Sequence, residues 1–317
     1  MKVLSTVKLP EYLREDIDHS FPDVTFYHDR KIDEAHDLLP EVDIIFTYGE
    51  DLTEEHINAA KNLKWVMVTS AGINQLPFDA LEKRDILVTN SKGVHAIPMA
   101  EYCIAMMLQV SRQAEVLTEH QRLHKWDRRV RMEELYEKTV LILGTGAIGS
   151  ATAKLTKAFG MNVSGVNSDG RAIKHFDSTY KMSEVKDPLS HADFVISVFP
   201  STDHTKGLLN KEFFENMKDD AVFINIGRGD AVVEKDLMEV LKANRSLHAV
   251  LDVFETEPLP KTHPLWDMEN VTVTPHLSGI TRRYLPRAME IAKTNLGYFL
   301  NNELAEMQNK ILLSKRY

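Results

Sequence analysis

Residues 139–160 read TVLILGTGAIGSATAKLTKAFG, and the fold follows from them. The apolar run at 140–143 predicts a strand buried on both faces. Gly144, Gly146 and Gly149 form a G-x-G-x-x-G turn, followed by a helical pattern and a second strand at 162–166. With strand before and helix after, the three glycines have separate tasks. Gly144 permits the tight turn, Gly146 clears a side chain where a phosphate approaches the backbone, and Gly149 lets helix pack on strand. Ile148, Ala151, Thr152, Leu155 and Phe159 are expected on the buried helical face, with Gly160 ending the helix. The N–H groups at the helix start, in the turn that holds Ala147 and Ile148, attract a dinucleotide pyrophosphate. Redox chemistry is therefore the first hypothesis.

The second strand runs into Asn167-Ser168-Asp169-Gly170-Arg171. Dinucleotide sites selective for NAD place a carboxylate here, on the ribose hydroxyls. Asn167 is neutral, Ser168 can donate a hydrogen bond, and Arg171 or Lys174 can supply positive charge to a 2′-phosphate. Asp169 works against this. The reading is NAD(P), with NADP favoured over NAD.

The wider composition bounds the class. The 317 residues suffice for two domains with separate cores. A net charge of −9 argues against a nucleic-acid surface, and the basic run at 128–131 reads as a solvated loop. Cys103, the single cysteine, excludes an intrachain disulfide and fits a core position in a reducing cytoplasm. No stretch approaches the ~20 apolar residues of a membrane span.

Apolar runs alternate with helical stretches in two sets. The first lies at 2–4, 24–27, 43–48, 64–69 and 86–89; the second at 140–143, 163–166, 194–199, 222–226, 248–251 and 271–274. This predicts an α/β protein of two doubly wound parallel-sheet domains. A Rossmann cofactor domain, 98–284, is inserted in a flavodoxin-like substrate domain, 1–97 plus 285–317. Between the sets, one helical pattern runs from Pro98, read as N1, to about 125. It would span on the order of 40 Å and is read as a domain link that also packs a homodimer. The last pattern, 281–301, carries the chain back to the first domain.

Three segments follow late strands of the second set: NIGRG at 225–229, LDVFETEP at 251–258 and TPHLSG at 274–279. In doubly wound sheets ligands bind beyond the carboxyl ends of strands. Arg228, Glu257 and His276 are thereby delivered to one edge. With the glycine turn, GRG, LDVFETEPLP with HPLW after it, and TPHLSG in order, the chain resembles the D-isomer-specific 2-hydroxyacid dehydrogenases. That family includes glyoxylate/hydroxypyruvate reductases and phosphoglycerate dehydrogenases, and the resemblance spans nearly the whole chain. It implies that Arg228, Glu257 and His276 are the catalytic set. The chemistry is consistent: a planar guanidinium grips a 2-oxoacid's carboxylate and ketone, an imidazole gives or takes the proton, and a carboxylate orients and charges that imidazole.

The resemblance implies further contacts. Ser70, Ala71 and Gly72 form a loop holding the substrate carboxylate through backbone N–H groups, although the chain departs from the family pattern at Asn74-Gln75-Leu76. Phe199-Pro200 and Thr205 line the adenosine and ribose. Ile226, Gly279, Asp252, near the nicotinamide amide, and Met99, at the linking helix, complete the cofactor contacts. Pocket shape would depend on Tyr48-Gly49, the 70–72 loop and residues 282–285. His120 and His124, spaced i, i+4, read as a solvated face, and no metal is expected. Two alternatives share the fold: a nucleotide-sensing corepressor, and a formate- or phosphite-type dehydrogenase. Glu257 stands where formate enzymes pair the histidine with Gln. The ending at 317 leaves no room for the corepressors' long tail or a regulatory domain.

Overall fold

The computed structural model describes residues 1–28, 31–73 and 75–315. Asn74, part of the expected departure from the family loop, lies outside them. The chain divides into two compact units, Met1–Val94 with Thr281–Tyr317, and His95–Ile280. The boundaries read from sequence lie a few residues C-terminal of these.

The first unit holds strands β1 (Lys2–Ser5), β2 (Thr25–Tyr27), β3 (Ile44–Thr47), β4 (Trp65–Val68) and β5 (Leu87–Asn90), with helices α1 (Glu11–Ser20), α2 (Glu54–Ala59) and α3 (Phe78–Lys83). The strands pair in parallel in the order β2-β1-β3-β4-β5, the flavodoxin-like arrangement. Successive side chains alternate between faces. Leu4, Ile45, Val66 and Val88 therefore pack with Ile57, Phe78 and Leu81 on one side. Val3, Ile44, Phe46, Trp65 and Met67 pack on the other, with Leu13 and Ile17 of α1.

The second unit holds α4 (Ala96–Ser111), α5 (Ala114–Arg122), β6 (Thr139–Leu143), α6 (Ala147–Ala158), β7 (Asn162–Val166), β8 (Ser178–Tyr180), α7 (Lys186–His191), β9 (Phe194–Ser197), α8 (Lys211–Glu215), β10 (Val222–Asn225), α9 (Glu234–Ala243), β11 (His248–Leu251) and β12 (Val271–Val273). Its sheet is also parallel throughout, ordered β12-β11-β10-β9-β6-β7-β8. The order reverses between β6 and β9, the switch point of a Rossmann sheet. Val140, Ile142, Ile196 and Ile224 face Met107 of α4 and Ala153 of α6. Leu141, Leu143, Val195 and Phe223 face Leu189, Phe214, Leu237 and Leu241 of α7, α8 and α9. The closing helix α10 (Tyr284–Leu300) belongs to the first unit, where Met289, Ala292 and Leu296 join Val3, Phe46 and Trp65.

Three local expectations need correction. The long pattern from Pro98 is two helices, the first starting at Ala96, so that Pro98 sits within its first turn rather than at N1. Gln113 takes a left-handed conformation, φ 53°, and its Nε2 donates to Val110 O at 3.1 Å, closing α4 before α5 begins. Neither Gly nor Pro marks this break. On α6 Thr152 is buried and Ile148 and Leu155 pack against the core as expected, but Gly149, Ala153 and Thr156 are also buried there and Phe159 is 41% exposed. The small residues face α4 and the sheet because the approach there is close. β8 has no apolar run; it is a half-exposed edge strand paired only with β7.

Cys103 is wholly buried, and burial pushes its thiol up to about 12. It should not react with a disulfide reagent near pH 8 while the protein is folded, and should react fully in denaturant. Rapid labelling of the native protein would show that α4 opens locally.

Candidate active site

The glycine turn leaves β6 with Gly144 at φ 104°, a conformation that side chains disfavour. A Cβ on Gly149 would sit 2.0 Å from the Gly144 carbonyl oxygen, so the start of α6 presses directly on the turn. At Gly146, by contrast, a Cβ would meet nothing within 4 Å. Gly146 is the N-cap of α6, and no side chain caps the helix. Ala147 is exposed and Ile148 half-buried. Open space before an uncapped helix start, carrying the positive end of the helix dipole, is what a pyrophosphate requires.

After β7, Asn167 is occupied by its own loop. Its Oδ1 accepts the N–H of Gly170 at 2.6 Å and of Asp169 at 3.3 Å, and its Nδ2 donates to Arg171 O at 2.9 Å and Thr145 Oγ1 at 3.3 Å. Ser168 is exposed. Arg171 Nη1 reaches both Asp169 oxygens, at 3.0 and 2.9 Å, and its hydrogen bonds hold that carboxyl below the usual carboxylate range. Arg171 is thus engaged by the residue that sequence reading set against it.

Beyond β9, Thr205 Oγ1 donates to Pro200 O at 2.6 Å and accepts from Thr202 N at 3.0 Å, making a small self-braced turn. Ile226 and Met99 are buried in the core beneath this edge, at 1% and 8% exposure. Only their backbone, or the tip of Met99, can present to a ligand.

The three chemical segments leave β10, β11 and β12, which are neighbours in the sheet. A Cβ on Gly227 would lie 2.6 Å from Phe199 O, and one on Gly229 would lie 1.9 Å from the Phe254 carbonyl carbon. Arg228 is therefore mounted where the chain is clamped between the segments after β9 and β11. Its side chain is exposed, with Nη1 donating to Gly227 O at 2.8 Å.

His276 Nδ1 and Glu257 Oε2 are 2.7 Å apart. The other oxygen, Oε1, accepts the Phe254 N–H at 2.9 Å, so the carboxylate is held from behind. A carboxylate only accepts, so Nδ1 carries the hydrogen and Nε2 is the ring atom left for proton exchange. His276 itself sits at φ 50°, unusual for a residue with a side chain.

Asp252 explains how that conformation is held. It is fully buried. Oδ1 accepts from Thr274 Oγ1 at 2.5 Å and Leu277 N at 2.9 Å; Oδ2 accepts from Ser278 N at 2.9 Å. The Asp252 carbonyl also accepts the His276 N–H at 2.8 Å. Tyr102 OH lies 2.6 Å from Thr274 Oγ1, joining α4 to the same network.

His95, which sequence reasoning does not single out, lies against the segment that carries His276. Its half-buried ring lies against Gly279, with Nδ1 3.4 Å from the Gly279 carbonyl oxygen, and it feels the charges of Arg228 and His276. Nothing in GVHAIPMAEY distinguishes it from the other histidines.

In the first unit, the expected substrate loop follows β4. Four successive carbonyls are engaged there: Thr69 O by Tyr284 OH at 2.8 Å, Ser70 O by Ser91 N at 3.1 Å, Ala71 O by Asn90 Nδ2 at 2.8 Å and Gly72 O by Ser70 Oγ at 2.7 Å. Burial pushes the Tyr284 hydroxyl up to about 12, so it stays a donor. Among the described residues, no group of three or more His, Cys, Asp or Glu stands close enough to hold a metal, and no helix is long and apolar enough to cross a membrane.

Residues 104–278 match the family described as D-isomer specific 2-hydroxyacid dehydrogenase, NAD binding domain. The chain is 34% identical over 245 residues to a human protein named glyoxylate reductase/hydroxypyruvate reductase, covering 75% of this chain and 74% of that one. It is 31% identical to a D-3-phosphoglycerate dehydrogenase of Methanocaldococcus jannaschii, across 83% of this chain but only 50% of that one. A crystal structure of a D-isomer specific 2-hydroxyacid dehydrogenase family protein from Aeromonas salmonicida superposes with a TM-score of 0.83 at 32% identity, covering 98% of each chain.

Replacing Asp252 by Asn sets an amide donor among three donors. We expect D252N to lose about 1–3 kcal/mol of stability and to slow any reaction that uses His276. Urea unfolding and steady-state rates check this; unchanged stability would remove Asp252 from its clamping role.

Proposed function

The chain belongs to the D-isomer specific 2-hydroxyacid dehydrogenase family and is an NAD(P)-dependent enzyme of that class, and from this premise we propose that it reduces a small 2-oxoacid of the glyoxylate or hydroxypyruvate kind to the D-2-hydroxyacid, and catalyses the reverse. The observation that carries this reading is the 2.7 Å pair of Glu257, on the segment after β11, and His276, on the segment after β12, beside the segment after β10 that bears Arg228.

A dinucleotide fits the 144–149 turn: the space before Gly146 is open and the α6 start lacks a side-chain cap. Bound there, it would supply the hydride. The chain's own residues supply the rest. Arg228 engages the 2-oxoacid's carboxylate and carbonyl oxygen with its planar fork, and stabilises the negative charge that grows on that oxygen. His276 Nε2 delivers the proton to the same oxygen. Glu257 holds the ring through Nδ1 and stabilises its positive charge before the proton leaves. In the oxidative direction Nε2 accepts the proton. Within its own unit, the carbonyls of the 70–72 loop are engaged by Ser91 N, Asn90 Nδ2 and Ser70 Oγ, so its amide groups are the donors assigned to a carboxylate.

The cofactor preference we assign is NADP over NAD. Neutral Asn167 sets no carboxylate against a 2′-phosphate, and Arg171 can exchange Asp169 for the phosphate. A homodimer through the end of the helical stretch from Pro98 to about 125 is supported by exposed apolar side chains at and beyond the end of α5, Leu123 at 64% and Trp126 at 92%. A cytoplasmic location is part of the same proposal.

A panel of 2-oxoacids with NADPH and NADH tests the reaction; no turnover on any of them would end this reading. His276→Ala should lower kcat by about 10²–10⁴-fold with the dinucleotide Kd nearly unchanged. Asn167→Asp should penalise NADPH more than NADH in kcat/KM. An unmoved preference would show that position 167 does not read the ribose.

A further inference from the structure

His95 immediately precedes α4, where its carbonyl accepts the Met99 N–H at 3.1 Å. Its ring meets the segment that carries His276. A Cβ on Gly279 would come within 2.9 Å of His95 Nδ1, so a glycine at 279 is what lets the imidazole lie there. The charged groups acting on the ring come from two other segments: Arg228 after β10 and His276 after β12, with Glu257 paired to His276.

These surroundings set the ring's charge. Burial, then the neighbouring Arg228 and His276 charges, hold the His95 imidazole below its ordinary range, while the Gly279 carbonyl pulls the other way. The ring is therefore neutral near pH 7, where Nδ1–H can point at Gly279 O. It gains a proton only in acid, or when an anion settles beside it.

We propose that His95 is a specificity-determining residue of this site, a second imidazole that faces the same substrate anion as Arg228 and strengthens anion recognition in acid. The proposal rests on the 2-oxoacid reading. Its physical content is linkage. If protonation of His95 tightens binding of an anion, that anion must raise the proton affinity of His95 by the same factor. A substrate with a second negative group gains more from the added charge than glyoxylate does, so the class favoured as pH falls is the 2-oxodicarboxylates.

The kinetic test measures KM for glyoxylate from about pH 8 to about pH 5, in wild type and in His95→Gln, which keeps a side-chain donor for Gly279. The wild-type KM should fall on the order of tenfold towards acid, and H95Q should lose that fall. An equal fall in both would overturn the inference. A second measurement needs neither turnover nor a folded variant at position 95. The His95 imidazole C2–H resonance is titrated in the native protein, with and without oxalate as the anionic probe. Oxalate should raise the midpoint, and Arg228→Gln, which removes a neighbouring cation, should raise it as well. A midpoint indifferent to both would refute the role of His95 even in an active enzyme. A midpoint that responds in a protein reducing no 2-oxoacid would uphold the anion site and reject the proposed reaction.

Discussion

The buried carboxylate of Asp252 is the constraint on which the reactive edge depends. A charge removed from water is tolerated only when hydrogen bonds replace its hydration. Here they come from Thr274, Leu277 and Ser278, on both sides of His276. Those bonds hold the turn in which His276 takes a left-handed backbone, a conformation that costs a non-glycine residue roughly 1–2 kcal/mol. The ring is then aimed by Glu257, itself held by the Phe254 N–H. A single buried acid after β11 thus positions His276 after β12.

The convergence of Arg228, Glu257 and His276 is a property of the sheet. Their segments leave three adjacent parallel strands at the same edge. β10 and β11 are stiffened by side chains packed on both faces, Phe223 and Ala249 on one and Ile224 and Val250 on the other. Gly227 and Gly229 then let the Arg228 segment lie against Phe199 and Phe254 without side chains between. Backbone contact at these distances has little freedom to adjust, because interiors are close-packed.

Central parallel strands are legible from sequence because burial on both faces makes them continuous apolar runs, as in LIL at 141–143 and VFI at 222–224. Edge strand β8, exposed on one side, carries STY and lacks that signal. The break at Gln113 was hidden for a related reason: a left-handed glutamine has no compositional mark, unlike Gly or Pro. The glycine turn was readable because its spacing is demanded by sterics that any such turn shares. The occupation of Asn167 by its own loop, the pairing of Arg171 with Asp169, and the clamping bonds of Asp252 depend on where side chains point after folding. His95 was invisible because its neighbours in the site are distant in the chain.

The amino-acid sequence by itself determined two parallel α/β sheets, the place of the glycine turn, and the presence of Arg228, Glu257 and His276 after three late strands. Local periodicity and backbone sterics suffice for these, since they act over a few residues. Only the tertiary structure decided that Asp252 supports the turn holding His276, that Arg171 is engaged by Asp169, and that His95 lies against Gly279 in the segment that carries His276. Those are consequences of strand order and of distance through space, and the separation of 184 positions between His95 and Gly279 disappears only when the sheet is assembled.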